Sequence, residues 1–376
     1  MTPVRFLQIH TLHSYTAALL NRDDSGLSKR LPYGGTLRTR ISSQCLKRHW
    51  RKTEDDPHSL ANLQGAEASY RSRELVTKLI FDPLRQQYAA DILQVMEPEF
   101  QKAVYGDKAD KGKASRQTLL LGAPEIRWLA EQAELLAKNA TNAAEAKKAI
   151  EAWAKDFKAN INVLRENTTL PAGLAAALFG RMVTSDPAAN IDAPIHVAHA
   201  FTVHASETES DYFTAVDDLK ADEDDGGADT IQETELTSGL FYGYVVIDLP
   251  GLIANCGGNK ELAARIVHNL LFLIAEVSPG AKLGSTAPYG RADFLLVEAG
   301  DRQPRSLAGA YRKAIAPDLE QAVTALADHL KNLDAVYETG EQRRYLTLSE
   351  ASIESAEKAS LAALATWAQD RAGEAQ

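Results

Sequence analysis

Basic side chains near the start of the chain form the group of residues best suited to a chemical role, which would be the binding of an anion. Ten Lys and Arg residues fall within the first 52 positions, where only two residues are acidic, although the whole chain has a formal net charge of -10. Such a patch in an acidic protein indicates an anionic partner. Ser42 or Ser43 can cap a helix whose free N–H groups suit phosphates. The polar and basic residues of its first turns are Gln44, Lys47, Arg48 and Arg51.

The segment before this helix adds further positive charge. A Gly34-Gly35 turn precedes Arg38 and Arg40, which alternate in sequence. Residues two apart in an extended segment share a face, so we expect both guanidinium groups on one side. A solvated basic helix face is the alternative for the helix alone, but the preceding arginines favour a larger cationic surface.

Six motifs in order over about three quarters of the chain resemble one known family. The first motif runs from LNRDD (Leu20 to Asp24) through the Gly-Gly turn to RxRISSQCLKR (Arg38 to Arg48). The others are FGRMVTS (Phe179 to Ser185), HVAHAFTVH (His196 to His204), DYFTAVDDL (Asp211 to Leu219), SGLFYGY (Ser238 to Tyr244) and PGAK (Pro279 to Lys282). Together they are similar to the CasC-type backbone subunit of the type I-E CRISPR surveillance complex, Cascade.

The resemblance implies a non-catalytic, oligomerising subunit that coats the spacer of a CRISPR RNA. Base pairing then reads the target, and the protein supplies charge and backbone geometry. The residues implied to hold phosphates and sugars are Asn21, Arg22, Lys29, Ser43, Gln44, Lys47, Arg48 and Arg51. Met182 and Phe213 are implied to interrupt base stacking, whereas the alternative makes Phe213 a loop anchor and Met182 a core filler. Arg181 and His196 are further nominees for RNA contact.

The implied partners are the single-stranded guide RNA, target DNA through the guide, and copies of the chain itself. The resemblance adds the large, small, repeat-handle-binding and endonuclease subunits of the complex and a recruited helicase-nuclease. A competing hypothesis is a metal-dependent ribonuclease that uses Asp23 or Asp24 as a ligand. Adjacent Arg22, Lys29 and Arg30 favour a simpler role, in which the acids pair with basic side chains. A third hypothesis is a structural adaptor without RNA contact.

Composition narrows the class of protein. The chain has 376 residues, 45% of them hydrophobic, and can bury a sizeable core. It contains no apolar run near the ~18 residues that cross a bilayer, and Met1 to Leu20 lacks the apolar region of a signal peptide. We therefore expect a cytoplasmic protein with no membrane contact. Cys45 and Cys256 are too few for a disulfide framework or a thiolate zinc site, and no cofactor is expected.

The elements predicted from patterns indicate an α+β protein. Strands are expected at Val4 to Leu12, Ile195 to Ala205, Leu240 to Leu249 and Phe294 to Val297, and helices from near Ser43, at Lys260 to Val277, Leu319 to Leu333 and Leu361 to Ala368. Without its insertions the chain reads β-α-β-β-α-β, the order of ferredoxin-like, RRM-like domains, an interpretation that rests partly on the resemblance. The C-terminal helices have no predicted place.

The predicted organisation is a palm interrupted by two insertions. Neither Gly nor Pro occurs between Glu125 and Leu170. Within this stretch apolar residues recur at helical spacing and form a stripe of Ile150, Trp153, Ala154, Phe157, Ile161 and Leu164. The expected parts are residues 1–59 (palm with the basic helix), 60–179 (helical fingers), 180–205 (palm), 206–237 (a thumb hairpin) and 238–376 (palm and C-terminal helices).

The second insertion is strongly acidic. Between Glu207 and Glu235 twelve acids face a single Lys220, which gives a local charge of -11. Such a segment cannot follow a phosphate backbone unless its acids point away. We therefore expect it to meet the basic surface of a neighbouring copy, and we expect this head-to-tail contact to build a filament.

Metal sites are not predicted. On a strand, His196 and His199 point to opposite faces, and His204 lies roughly 26 Å from His196 at ~3.3 Å per residue. The run Asp222 to Asp225 before Gly226 does not fit the ligand register of a calcium loop.

Overall fold

The computed structural model describes residues 4–106, 109, 113–183, 186–215 and 230–375. These residues form a mixed α+β structure that divides into two compact units. Unit 1 comprises Met1–Ser59, His196–Leu249 and Ala264–Gln376, and unit 2 comprises Leu60–Ile195 and Pro250–Ala263.

The strands, in chain order, are β1 (Phe6–Ala18), β2 (Arg30–Tyr33), β3 (Thr36–Ile41), β4 (Ser69–Ser72), β5 (Leu119–Gly122), β6 (Ile195–Val197), β7 (Ala200–Thr202), β8 (Thr208–Ala215), β9 (Thr230–Asp248), β10 (Ala292–Gly300), β11 (Gln342–Thr347) and β12 (Glu357–Lys358). The helices are α1 (Ser43–Lys52), α2 (Asp82–Leu84), α3 (Ala90–Tyr105), α4 (Ala123–Asn139), α5 (Ala143–Glu166), α6 (Leu174–Phe179), α7 (Leu249–Asn255), α8 (Lys260–Glu276), α9 (Leu283–Thr286), α10 (Leu319–Tyr337) and α11 (Leu361–Gly373). A π-helical turn covers Val76–Phe81, and single 3-10 turns lie at Leu60–Asn62, Lys113–Ser115, Pro187–Ala189 and Ala308–Tyr311.

The large sheet has the strand order β12-β11-β10-β1-β9-β7-β3-β2, and β6 and β8 also pair with β9. Its centre is antiparallel, since β1 pairs with β10 on one side and with β9 on the other. β1 continues beyond the predicted Leu12 because Tyr15 still pairs with Gly239 and packs against Phe241. The predicted strand from Ile195 to Ala205 is instead two short strands, with His199 in the connection between them.

Each face of the sheet carries helices. On one face α1 packs Leu46 against Tyr15 and Ile41, and Ile274 of α8 lines the same small cavity as Leu46. On the other face Leu326 of α10 joins a core made by alternate residues of the central strands. This alternation places two layers of apolar side chains on opposite sides of one sheet.

The predicted Gly-Gly turn joins β2 to β3. Gly34 and Gly35 have φ values of 59° and 77°, in the left-handed region that suits a two-residue hairpin. A side chain on Gly34 would also meet the carbonyl of Arg312 at 1.5 Å, so glycine is required there by space as well as by conformation.

Unit 2 is built on helices α3, α4 and α5 with the small β4–β5 sheet. The predicted stripe lies on α5, and its residues Ile150, Trp153, Phe157 and Ile161 are buried. Phe100 of α3 stacks on Trp153 at 4.4 Å between ring centroids. The predicted helical segment ended at residue 179, whereas the compact unit continues to Ile195. Backbone pairing of Arg181 with Ile191 keeps this extension inside the unit.

No helix in the described part of the chain combines the length and apolar composition that crossing a membrane requires.

Candidate nucleic-acid interface

Helix α1 begins as the sequence predicts, and its position is fixed by side chains of unit 1. Ser42 is the N-cap, and its hydroxyl accepts the Cys45 N–H. Asn21 Oδ1 accepts the Ser42 N–H at 2.8 Å, which fastens the helix start to the end of β1. The first internal helix bond is donated by Leu46 to Ser42, so the amides before Cys45 lie ahead of the helical ladder. The positive end of the helix therefore carries groups suited to an anion.

Cationic side chains gather next to this helix. Arg40 Nη1 lies 3.0 Å from His199 Nδ1, and the Arg40 amide donates to the carbonyl of Lys29 at 2.7 Å. Burial lowers the pKa of His199, and the nearby charges of Arg40, Lys47 and Lys29 lower it further. We call Lys29, Arg40, Lys47 and His199 the cation cluster. Because the charges of Lys29, Arg40 and Lys47 repel one another, an anion bound in the cluster would relieve that repulsion.

The other predicted contacts surround the cation cluster in different ways. Arg22, Gln44 and Arg48 are exposed, and Arg51 is half-exposed. Ser43 is buried, and its hydroxyl donates to Gln44 Oε1 at 3.3 Å. Because its side chain does not face solvent, Ser43 supports the polar surface from beneath, and Asn21 supports it by accepting the Ser42 N–H.

Arg38 does not belong to the exposed part of this surface. It lies on the same side of β3 as Arg40, as expected, but Arg38 is 0% exposed, so its nomination as an RNA contact is not supported by its environment. Its guanidinium donates to the carbonyls of Thr202 at 2.9 Å and Tyr311 at 3.0 Å. The period of the strand places both arginines on one side, but the segment around Tyr311 covers that side at Arg38.

Arg181 is also internal. It is 6% exposed and donates to Glu125 Oε2 at 2.7 Å and to the Ala189 carbonyl at 2.8 Å within unit 2. The environment of Arg181 therefore does not support the prediction that this residue contacts RNA. His196 is exposed, and Met182 is 75% exposed, which rules out the core-filling alternative for Met182.

The acidic insertion contains the expected hairpin. Strands β8 and β9 pair from Thr208↔Thr237 to Ala215↔Thr230. Residues 216–229, including the Asp222 to Asp225 run, lie outside the described residues. Phe213 on β8 is 41% exposed, and Lys282 Nζ lies 4.9 Å from its ring centroid. A cavity of about 540 Å³ separates the hairpin base from the loop that contains Arg22.

The base of the hairpin is fastened to the same chain. Glu235 accepts the Ser28 N–H at 2.8 Å and forms an ion pair with Arg30. Arg30 also donates to the hydroxyl of Thr208 at 3.2 Å, so it contacts both hairpin strands. Part of the negative charge of the insertion is therefore neutralised within the chain, and Arg30 is not available to an external anion.

The loop aspartates do not form the predicted ion pairs with neighbouring basic residues. Asp23 Oδ1 accepts the N–H groups of Ser25 at 2.9 Å and Leu27 at 3.0 Å, which shapes the loop as an Asx turn. Asp24 is exposed. Among the residues that the structure describes, no group of three or more His, Cys, Asp and Glu could hold a metal ion.

Sequence patterns alone do not identify two residues of the interface. The spacing of the histidines suggests His199 only as a metal ligand, and Lys282 stands out only as part of the PGAK motif. The nearness of His199 to Arg40 depends on the β6–β7 connection, and the contact of Lys282 with Phe213 depends on a loop far away in sequence. Both residues do stand inside motifs that carry the resemblance.

These features define an α+β protein with a cationic surface suited to a polyanion. A family model described as CT1975-like protein (Cas_CT1975) matches residues 7–369, and the chain therefore belongs to this family. A search of curated proteins found no match.

Solved structures agree with this assignment. A chain of "CRISPR RNA-guided surveillance complex, pre-nicking" is similar with a TM-score of 0.80 and 26% identity, over 98% of this chain and 100% of that one. A chain of "CRISPR RNA-guided surveillance complex" is similar in fold, with a TM-score of 0.68 and 22% identity over 96% and 99%.

Proposed function

We propose that this protein is the CRISPR RNA-binding backbone subunit of a type I-E Cascade surveillance complex. Copies would line up along the spacer of the guide and present its bases to complementary target DNA. The observation that carries the proposal is the cation cluster beside the start of α1, in a chain similar over almost its full length to a chain of a CRISPR RNA-guided surveillance complex.

The palm of this proposal has the ferredoxin-like arrangement. The sheet order β10-β1-β9-β7 with antiparallel neighbours is the order expected for a β-α-β-β-α-β domain, and it supports this assignment. Helices α1 and α8 supply the two helices of the repeat on one face. Unit 2 corresponds to the fingers and the β8–β9 hairpin to the thumb.

The proposed chemistry is binding without bond cleavage. Phosphates would lie against the cation cluster, with Arg22, Gln44, Arg48 and Arg51 at its edge. Charge neutralisation of this kind is independent of sequence, which is what a subunit needs when base pairing supplies the specificity. Exposed Met182 and Phe213 would separate groups of stacked bases. The subunit would act in the cytoplasm and require no cofactor.

The remaining partners follow from the same assignment. A filament of copies requires a heterologous contact, for which the acidic hairpin and a basic surface on the next copy are complementary. The large, small, repeat-handle-binding and endonuclease subunits would complete the complex, and a helicase-nuclease would be recruited to it.

The test is whether the purified protein carries guide RNA and leaves it intact. The tagged chain would be produced with a CRISPR array, and the bound RNA would be extracted and sequenced. We expect spacer-containing RNA of defined length. Absence of nucleic acid would favour the adaptor hypothesis.

A second measurement addresses the ribonuclease alternative. Labelled single-stranded RNA would be incubated with the protein with and without Mg²⁺, beside an Asp23→Asn variant that keeps the Oδ1 acceptor of the loop. We expect no cleavage in any lane. Cleavage that depends on Mg²⁺ and disappears in Asp23→Asn would replace our proposal with the nuclease.

A further inference from the structure

The connection between α8 and β10 contacts three parts of the proposed interface. We call residues 278–290 the bracket loop. Its ends are joined because the Gly290 N–H donates to Ser278 Oγ, which donates in turn to the Gly290 carbonyl, each at 2.8 Å. Ala281 pairs with Leu19 at the end of β1, and the Gly280 N–H approaches His49 Nε2 of α1 at 3.4 Å. The loop is therefore fastened both to α1, the RNA-facing helix, and to the end of β1.

Lys282 extends this attachment to the hairpin. Its ammonium donates to Thr234 Oγ1 on β9 and lies 4.9 Å from the ring centroid of Phe213 on β8. The register pairs Asp211 with Thr234, and residues two apart share a face of a strand, so Thr234 and Phe213 lie on the same face of the hairpin. One ammonium therefore contacts both strands on the face that carries the aromatic ring.

The backbone of Lys282 suits a fixed position. It has a φ of 52°, in the left-handed region that lysine rarely adopts. Lys282 is the N-cap of the short helix α9, and its carbonyl accepts the N–H groups of Ser285 and Thr286. This backbone conformation directs Lys282 out of the bracket loop toward the hairpin. The contacts of the loop with β1 and α1 support this conformation.

We propose that Lys282 is the positioning residue for Phe213 and connects the RNA-facing helix to the hairpin. The inference rests on the proposed function, because it gives Phe213 a defined orientation for contact with the guide. A cation over an aromatic ring is attracted by the ring quadrupole, and the additional hydrogen bond to Thr234 fixes the direction of approach. Lys282 thus acts through Phe213 and is not itself a phosphate contact in this proposal.

The first experiment needs no RNA and therefore stands apart from the proposed function. Amide hydrogen exchange would be followed by mass spectrometry in the wild type, Lys282→Met and Lys282→Arg. Met keeps the apolar stem and removes the charge, while Arg keeps a cation that can lie over the ring. We expect peptides covering residues 208–213 and 233–237 to exchange about two- to fivefold faster in Lys282→Met, with rescue in Lys282→Arg. Lys358→Met, an exposed lysine on β12, is the control. Unchanged exchange in Lys282→Met would overturn the proposal.

The second experiment is a double-mutant cycle on guide binding. Lys282→Met should weaken binding about two- to fivefold in the wild type and have no further effect in Phe213→Ala, because its influence passes through the ring. The salt dependence should be unchanged. A slope that falls by about 0.7, with an equal effect in both backgrounds, would identify Lys282 as a phosphate contact and overturn the proposal. If the wild type binds no RNA, the proposed function fails, while the exchange experiment still decides the role of Lys282.

Discussion

Neutralising two cations of α1 gives the most direct test of the phosphate-binding surface. The change is Lys47→Gln combined with Arg48→Gln. Lys47 belongs to the cation cluster, and Arg48 is exposed at its edge. On single-stranded RNA each lost phosphate contact lowers the slope of log K against log salt by about 0.7, so the pair should lower it by about 1.4. The affinity ratio of wild type to variant should then fall about sevenfold between 50 and 200 mM salt.

Stability should be nearly unaffected by this change. Exposed positions such as Arg48 generally tolerate substitution within about 0.5 kcal/mol, and removing the charge of half-buried Lys47 relieves repulsion within the cation cluster. Urea unfolding measures this directly, and filter binding or anisotropy at four salt concentrations gives the slope.

A matched control separates the local effect from the change in net charge. Lys52→Gln combined with Lys358→Gln removes two exposed cations, one at the far end of α1 and one on β12. We expect its slope to stay closer to that of the wild type. If both double variants lose the same slope, binding responds only to overall charge, and the cation cluster is not a specific phosphate site.

Three further predictions follow from the interior and from His199. Arg38→Ala should lower the free energy of unfolding by about 2 kcal/mol, because two carbonyls lose a charged donor. Arg40→Ala should instead lower RNA affinity and barely alter stability. Urea unfolding and RNA titration of both variants test these two expectations. Burial alone would raise the pKa of Glu298, but hydrogen bonds from guanidinium and imidazole groups hold that pKa below its usual range. Glu298→Gln should therefore lower the free energy of unfolding in urea by about 3 kcal/mol. The control Glu354→Gln, at an exposed position, should lower it by less than about 1 kcal/mol. Burial and neighbouring cations lower the pKa of His199 in the free protein, and a bound phosphate would raise that pKa. RNA affinity should therefore increase as pH falls below about 6.5, and His199→Gln should flatten that increase. RNA titrations of both proteins at pH 5.5 and 7.5 test this pH dependence.

The local features of the interface could be predicted from sequence, because they depend on neighbours in the chain. Ser42 and the residues that follow contain both the cap and the polar face of α1, and the helix begins at the predicted Ser43. The Gly34-Gly35 turn is likewise determined by two adjacent residues. Burial of Arg38 could not be predicted, because the period of a strand identifies a face but not what covers it. The covering residue, Tyr311, is distant in sequence.

In the C-terminal part, strand β11 and the burial of its Arg343 could not be predicted from sequence either. Strand β11 contains Arg343 and Arg344 side by side, which hides its character as a sheet strand. The structure buries Arg343 because Glu298, on the neighbouring strand β10, and Asp334 of α10 accept its donors. A buried guanidinium requires such partners, and only the folded chain brings them together.

Fewer basic side chains near the start of the chain are open to an RNA than the sequence alone suggests. Ten basic residues fall in the first 52 positions, but at least three of them have carboxylate or carbonyl partners inside the protein. Arg5 lies 3.7 Å from Asp248, Arg30 pairs with Glu235, and Arg38 donates to carbonyls. With these three engaged, at most seven residues of this segment remain for phosphates, which limits its contribution to the salt slope to about 5 for each bound copy, where ten would give about 7. Titration of a short RNA that holds one copy can separate these values. A slope near 7 would mean either that these internal pairs open when RNA binds or that basic residues beyond position 52 also contact it, and the cation cluster with its edge would then be only part of the interface.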